Sequence, residues 1–363
     1  MTVRRTVLRL HRWVALPAAA FWLLQAATGV AIVFHWELED ATFPGAHRAT
    51  DLDALQARLT ALAPAGSQRR VVSLWTTAGF ADRYKITLAG PTGERTVVRV
   101  AGDGTILDQR DNRARTPMDT VVSLHQTLLG GDTGRWIVEA SGVLLLVSLC
   151  LGVANAWPRR GGWRLAFTPP SAPSATAQVF GWHRALGLWL AVPAMVLAGA
   201  GSLLVFEDNL RALVGGQPVK IAPLPPTGPA VPFETAAHAA LAAAPHSRLT
   251  MVAWPTSHDA TYRVRLLAPG ELRRAYGLTT VFIDANSGRV RQVVPAGAGP
   301  VERRFVDLLY AVHTGEAEGL AGRLANLAIG LWLITMIGLG IALWARRRRL
   351  GHKRVPAARP LEV

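Results

Sequence analysis

The chain has ten histidines, and four of them stand where two helices could each donate one to a shared centre. His11 and His183 each open a long apolar stretch, and His125 and His313 each lie just ahead of another. Twenty-four residues separate His11 from His35. That is about 36 Å along a helix, so these two cannot ligate one ion. The matched positions suggest instead that His11 pairs with His183 and His125 with His313. Two facing imidazoles from different helices are a natural axial pair for the iron of a b-type haem. Two such pairs would hold two b-type haems. Arg12, Arg184, Arg135 and Arg323 lie close to these histidines or to the ends of the apolar stretches, where a guanidinium can pair with a haem propionate. Cys150 is the single cysteine and no C-x-x-C-H is present, so any haem is held by side-chain ligands alone.

These residues are positioned by segments of membrane character. Half of the chain is apolar and 17% is charged, against about 25% charged in a typical soluble domain. Residues 13–36, 136–157, 182–206 and 324–344 are each long and apolar enough to cross a hydrocarbon core, which takes about 20 helical residues. None carries Lys, Arg or Asp at its centre, and ten of the twelve tryptophans lie in or near them, as an interfacial belt would place them. A soluble four-helix core would need polar stripes at helical spacing, which these stretches lack. The first stretch is longer than the apolar core of a signal peptide and is read as retained. Nearly all of the net charge of +15 falls at the N-terminus, in the segment 157–184 and at the C-terminus. A groove for a nucleic-acid backbone would not be divided in this way, whereas the cytoplasmic flanks of membrane spans are. The expected topology therefore has residues 1–36 as N-terminus and first span, 134–157 and 182–206 as second and third spans around a cytoplasmic loop at 158–181, and 323–345 as fourth span before a basic tail at 346–363. Residues 37–133 and 207–322 lie outside, in the periplasm if the membrane is the bacterial inner membrane.

Self-comparison relates the two halves. A shift of 172 residues superimposes span one on span three: His11-Arg12 meets His183-Arg184, Gly29 meets Gly201, and Val33-Phe34 meets Val205-Phe206. A shift of 188 superimposes span two on span four: His125 meets His313, Gly134-Arg135 meets Gly322-Arg323, Gly142 meets Gly330, Gly152 meets Gly340, and Arg159-Arg160 meets Arg347-Arg348. The halves run in the same direction, so a parallel 2+2 repeat about an axis along the membrane normal is expected. His35 is unmatched, its counterpart being Glu207. It is either a spare outer-face ligand or a residue lining the substrate approach. The outer segments also correspond. A helix is expected at 52–62 and at 234–244, with Thr50 and Asp53 as a capping pair for the first. Strands are expected at 70–76, 84–88 and 95–100, and again at 249–254, 262–267 and 279–283. Hairpin turns close each set at Asp103-Gly104 and at Asp284 to Gly288. Each segment reads as a small α+β module.

Every one of these residues also has a plain structural use. An interfacial histidine caps or snorkels, arginines at span ends enforce topology, and glycines serve helix packing. Glu139, near the outer end of span two, is a proton or substrate group or an interfacial hydrogen-bonding residue. No G-x-G-x-x-G follows a strand and opens a helix, and no Walker loop, H-E-x-x-H or G-x-S-x-G occurs. Electrons would therefore come from a quinol or a separate reductase.

The sequence resembles the PepSY-associated transmembrane family over nearly its whole length. The resemblance rests on Leu10-His11-Arg12-Trp13, on Leu124-His125-Gln126-Thr127-Leu128-Leu129-Gly130 leading to Gly134-Arg135, on Trp182-His183-Arg184-Ala185-Leu186-Gly187, and on Val312-His313-Thr314-Gly315 leading to Gly322-Arg323. The outer modules look like PepSY domains through their closing turns. That family includes iron-regulated inner-membrane proteins and di-haem ferric-siderophore reductases. The resemblance therefore implies an electron path across the membrane to a ferric siderophore or similar ferric chelate. The rival expectation is a non-enzymatic, membrane-anchored protein that binds or regulates a periplasmic partner. A permease is a third, weakened by the absence of charges at the span centres.

Overall fold

The computed structural model describes residues 3–352 apart from 44, 46, 78, 79, 81, 112–115, 159, 160, 169–173, 215–218 and 274. Arg159, Arg160 and the tail beyond 352 thus lie outside the described residues. In chain order the elements are α1 (Val3–Ile32), α2 (His35–Asp40), α3 (Leu52–Leu62), β1 (Arg70–Thr76), β2 (Arg83–Ala89), β3 (Arg95–Ala101), β4 (Ile106–Asp111), α4 (Pro117–Thr127), α5 (Gly131–Ala156), α6 (Trp163–Phe167), α7 (Ala175–Trp189), α8 (Ala191–Val205), α9 (Glu207–Leu213), α10 (Phe233–Ala243), β5 (Arg248–Ala253), β6 (Thr261–Leu267), β7 (Thr279–Asp284), β8 (Val290–Val294), α11 (Val301–Thr314) and α12 (Gly319–His352). They form two compact units. One is built on α1, α5 to α8 and the body of α12, and the other on α2, α3, α9 to α11 and all eight strands.

In the helical unit, α1, α5 and α12 are each long and apolar enough to cross a membrane. Only 11% of the apolar window of α5 and 6% of that of α12 is buried inside the protein. Surface so apolar and so little covered is suited to hydrocarbon rather than water. The third expected span is not one straight helix. It is the pair α7 and α8, bent by 62° at Leu190. Pro193 explains the break, because it has no N–H for the carbonyl of Trp189 and its ring crowds that carbonyl. Pro17 sits inside α1, which stays continuous. Trp13, Trp136, Trp157, Trp182 and Trp189 are exposed, whereas Trp22 and Trp332 are buried and so do not fit an interfacial belt. These two are buried in mid-helix. Trp22 donates through Nε1 to the Ser141 hydroxyl at 2.9 Å, and Trp332 to the Leu186 carbonyl at 2.8 Å.

The sheet unit has one continuous antiparallel sheet of order β4-β3-β2-β1-β5-β6-β7-β8. The two expected modules are therefore joined edge to edge, β1 against β5 through Leu74 opposite Val252. Strand alternation puts Val98, Ile86, Leu74, Val252, Val264 and Val281 in one cross-strand row, and all six are fully buried. Leu55 and Leu59 of α3 and Phe233, Ala236, Ala237 and Ala240 of α10 complete that core on the same face. The two modules each contribute a core tyrosine with a satisfied hydroxyl. Tyr84 Oη lies 2.8 Å from Thr50 Oγ1, and Tyr262 donates to the Val231 carbonyl at 2.8 Å. The expected capping pair is corrected at this point: Asp51, not Thr50, caps α3 and accepts from Ala54 N at 3.0 Å, because the Thr50 hydroxyl is engaged by Tyr84.

A candidate cofactor cavity between helices

His11 lies on α1 and His183 on α7, and both line one cavity of about 690 Å³ in the helical unit. The size falls within the roughly 300–1,000 Å³ of cofactor pockets. Apolar side chains such as Leu16, Leu149, Phe180 and Ile337 dominate its walls, Trp22 and Trp332 also line it, and Arg4, Arg12, Arg184, Arg347 and Arg348 contribute its charge.

His11 Nδ1 lies 3.0 Å from the Ser148 carbonyl, which can only accept, so Nδ1 carries the proton and Nε2 is the nitrogen left for a ligand. His183 Nδ1 is buried without a hydrogen-bond partner among the described residues, and the Met336 backbone lies close to the ring. Ser148 and Met336 are related by the same shift of 188 that relates the second and fourth spans. A Cβ at Gly152 would stand 3.4 Å from His11 Cε1, and one at Gly340 3.5 Å from His183 Cε1. Gly152 and Gly340, matched by that shift, thus stand equally close to the two rings. A backbone contact at Nδ1 fixes the orientation of a metal-ligating histidine.

His125 lies on α4. Its Nδ1 is 3.1 Å from Thr28 Oγ1, and that hydroxyl already donates to the Leu24 carbonyl at 2.8 Å. Gly29 makes the approach possible, since a Cβ there would come within 3.1 Å of the ring. His313 is half-buried on α11 and belongs to the sheet unit, whereas His125 belongs to the helical unit. His35 opens α2, also in the sheet unit, with its ring 4.9 Å from that of Trp36.

The four arginines divide in the same way. Arg12 and Arg184 line the cavity with His11 and His183. Arg135 is exposed on α5. Arg323 is engaged by Glu37, donating from Nη2 to Oε2 at 2.6 Å, and lies 4.4 Å from the Phe34 ring centroid. Its hydrogen bonds hold the Glu37 carboxyl below the usual carboxylate range. The Gly-Arg steps have a steric cause of their own. A Cβ at Gly134 would meet the Thr127 carbonyl oxygen at 1.7 Å, and one at the matching Gly322 would meet that of Gly315 at 2.4 Å. Each glycine lets a long helix start tightly against the end of the histidine-bearing helix before it. In the first half the connecting Leu128 and Leu129 take left-handed φ angles of 50° and 62°, a strained conformation for leucine.

Sequence reasoning missed Trp22 and Trp332, whose mid-helix positions in otherwise aliphatic runs were the available signal. It also missed Thr28. The Ser148 and Met336 carbonyls are backbone groups and leave no signal. Glu139 is buried on α5, and its Oε2 has no partner among the described residues.

Three apolar helices of spanning length, a bent pair that passes the same test when its two helices are taken together, and an α/β unit of eight strands define a membrane protein that also carries a folded sheet unit. Residues 8–347 match the family model described as PepSY-associated TM region, and the chain belongs to that family. No curated protein matches it.

Proposed function

We propose that the protein is a b-type haem oxidoreductase of the bacterial inner membrane that reduces a ferric siderophore or similar ferric chelate on the periplasmic side. One observation carries the reading: two imidazoles from different helices, His11 and His183, line a single apolar cavity, and the Ser148 carbonyl fixes the His11 ring through Nδ1. The donor set suits porphyrin iron better than a bare ion. Among the described residues no three His, Cys, Asp or Glu side chains converge as a metal site. An iron already held by four pyrrole nitrogens needs only two axial imidazoles.

In this reading His11 and His183 hold one haem b and His125 and His313 a second, in a parallel 2+2 repeat whose α/β modules lie in the periplasm. Arg12 and Arg184 neutralise propionates at the inner site, and the apolar walls exclude water. Arg135 and Arg323 stand at the outer ends of their helices, with Arg323 already engaged by Glu37. His35 is a spare outer-face ligand or a residue lining the substrate approach. Bound haem would supply one-electron transfer, the donor being a quinol or a separate reductase. Reduction of Fe(III) to Fe(II) weakens its hold on hard oxygen ligands and frees the iron.

The visible spectrum of the full chain purified in mild detergent tests this. The expected result is a reducible bis-imidazole Soret band at two haems per chain. His11→Ala with His183→Ala should remove one haem, and His125→Ala with His313→Ala the other. A colourless, folded protein overturns the proposal and leaves the non-enzymatic partner-binding reading.

A further inference from the structure

The sheet face opposite α3 and α10 carries a second cross-strand row: Arg99, Lys85, Trp75, Met251, Arg265 and Thr280. In the first module the arginines of this face are paired with acids. Arg99 pairs with Glu39 at 2.5 Å and Asp108 at 3.3 Å, and Arg83 on the same face pairs with Asp40 at 3.2 Å. In the second module Arg265 is joined by Arg273 from the β6–β7 connection. Neither forms an ion pair or hydrogen bond among the described residues, and the Nε atom of each is buried.

The nearby carboxylates have other tasks. Glu271 accepts from Ala268 N at 3.0 Å, Thr279 N at 3.2 Å and Thr279 Oγ1 at 2.6 Å. Glu316 accepts from Ala275 N at 3.1 Å, and Asp307 is held by Arg211 at 2.6 Å. Aromatic rings flank the two guanidiniums. Arg273 lies 4.0 Å from the Tyr310 ring centroid and Arg265 5.8 Å from that of Trp75, against which Tyr276 packs edge-on at 5.4 Å. Burial, and then the charges of Arg273 and Arg263, push Arg265 down to about 10. Like charges left together and partly desolvated are unfavourable unless something anionic completes them. Guanidinium forks match carboxylate oxygens in geometry and charge.

We propose that Arg265 and Arg273 form a binding site for a small di- or tricarboxylate. The aromatic flank favours a ligand with a carbon skeleton over inorganic phosphate, which offers only hydrated oxygens. That the bound carboxylate carries ferric iron follows only if the redox reading holds; the binding itself does not depend on it.

Calorimetric titration of citrate into the full chain in detergent tests the site, with inorganic phosphate as the second probe. The expected result is saturable citrate binding, with phosphate weaker by about tenfold or more. Arg265→Gln and Arg273→Gln should each weaken citrate by about tenfold or more, the order of one charge-assisted contact. Arg248→Gln, at the exposed start of β5, should leave it unchanged. Arg265→Lys keeps the charge but loses the fork, so weaker binding in that folded variant excludes misfolding as the cause. Absent citrate binding, or equal affinity in the double variant, overturns the site. Citrate binding by a haem-free chain would sink the redox reading alone, and failure to bind in a haem-loaded chain would sink this site alone.

Discussion

The two α/β modules share an element order, a helix-covered face and a core tyrosine each, yet they treat charge oppositely. In the first, α2 presents Glu37, Glu39 and Asp40, and Glu39 and Asp40 neutralise Arg99 and Arg83. In the second, the corresponding helix α9 carries Arg211 where the repeat places Glu39. Arg211 draws in Glu207 and Asp307, and Arg265 and Arg273 form no ion pair among the described residues. The same order of helix and strands occurs in both modules. The first copy closes its polar face internally, and the second leaves it open to a ligand.

The largest expected effect tests that contrast directly. Arg99→Ala leaves Glu39, a carboxylate whose burial already raises its pKa, without its guanidinium. Breaking a buried pair in this way costs about 3–5 kcal/mol. Arg265→Ala removes a repelled charge, and its thermal midpoint should equal or exceed that of the parent. Calorimetric unfolding of both variants checks this, and equal losses would erase the contrast. Next in size is core packing. Leu55→Ala empties a fully buried site on α3 and should cost about 3 kcal/mol. At Ala237 on α10 the helix already lies close, so Ala237→Leu overpacks the site and should cost about 1–3 kcal/mol.

A smaller effect appears at high pH. Burial is the main cause that pushes Tyr84, Tyr262 and Tyr276 up to about 12, and it raises Tyr310 as well. These are all four tyrosines of the chain. An unfolded tyrosine ionises near 10. Between about 10 and 12 the folded state thus holds more protons than the unfolded one, and stability falls as pH rises through that window. Tyrosinate absorbance should show no titration near pH 10 in the folded protein and a normal midpoint in denaturant. A native transition at pH 10 would show that at least one of these hydroxyls is open to water.

Much of this was legible in the sequence. The apolar stretches, the helix at 52–62 and the strand at 70–76 follow from hydropathy and alternation, and the self-comparison matched His11 with His183, which line one cavity. The break in α7–α8 was written in Pro193, but Pro17 leaves α1 continuous, so the residue alone does not decide the outcome. The β1–β5 pairing left no trace, because an edge strand and an interior strand alternate alike. The cavity depends on the tertiary arrangement of the helices. The exposure of Arg135 and the engagement of Arg323 by Glu37 likewise come from packing, which a motif does not encode.

The smallest expected effect concerns how the two core helices begin. Asp51 caps α3 with its own side chain, whereas α10 starts at Pro232 with no side-chain cap. Instead Gln56, on α3, accepts from the Phe233 N–H at 2.8 Å. The second helix thus borrows its cap from the first. Asp51→Ala should cost about 1 kcal/mol, and Gln56→Ala a similar amount, although Gln56 lies in a helix interior where alanine is otherwise favoured. Hydrogen exchange separates the two. Asp51→Ala should loosen the first turn of α3, and Gln56→Ala the first turn of α10. If Gln56→Ala loosened only α3, the two helices would be capped independently and the modules would be coupled through the sheet alone.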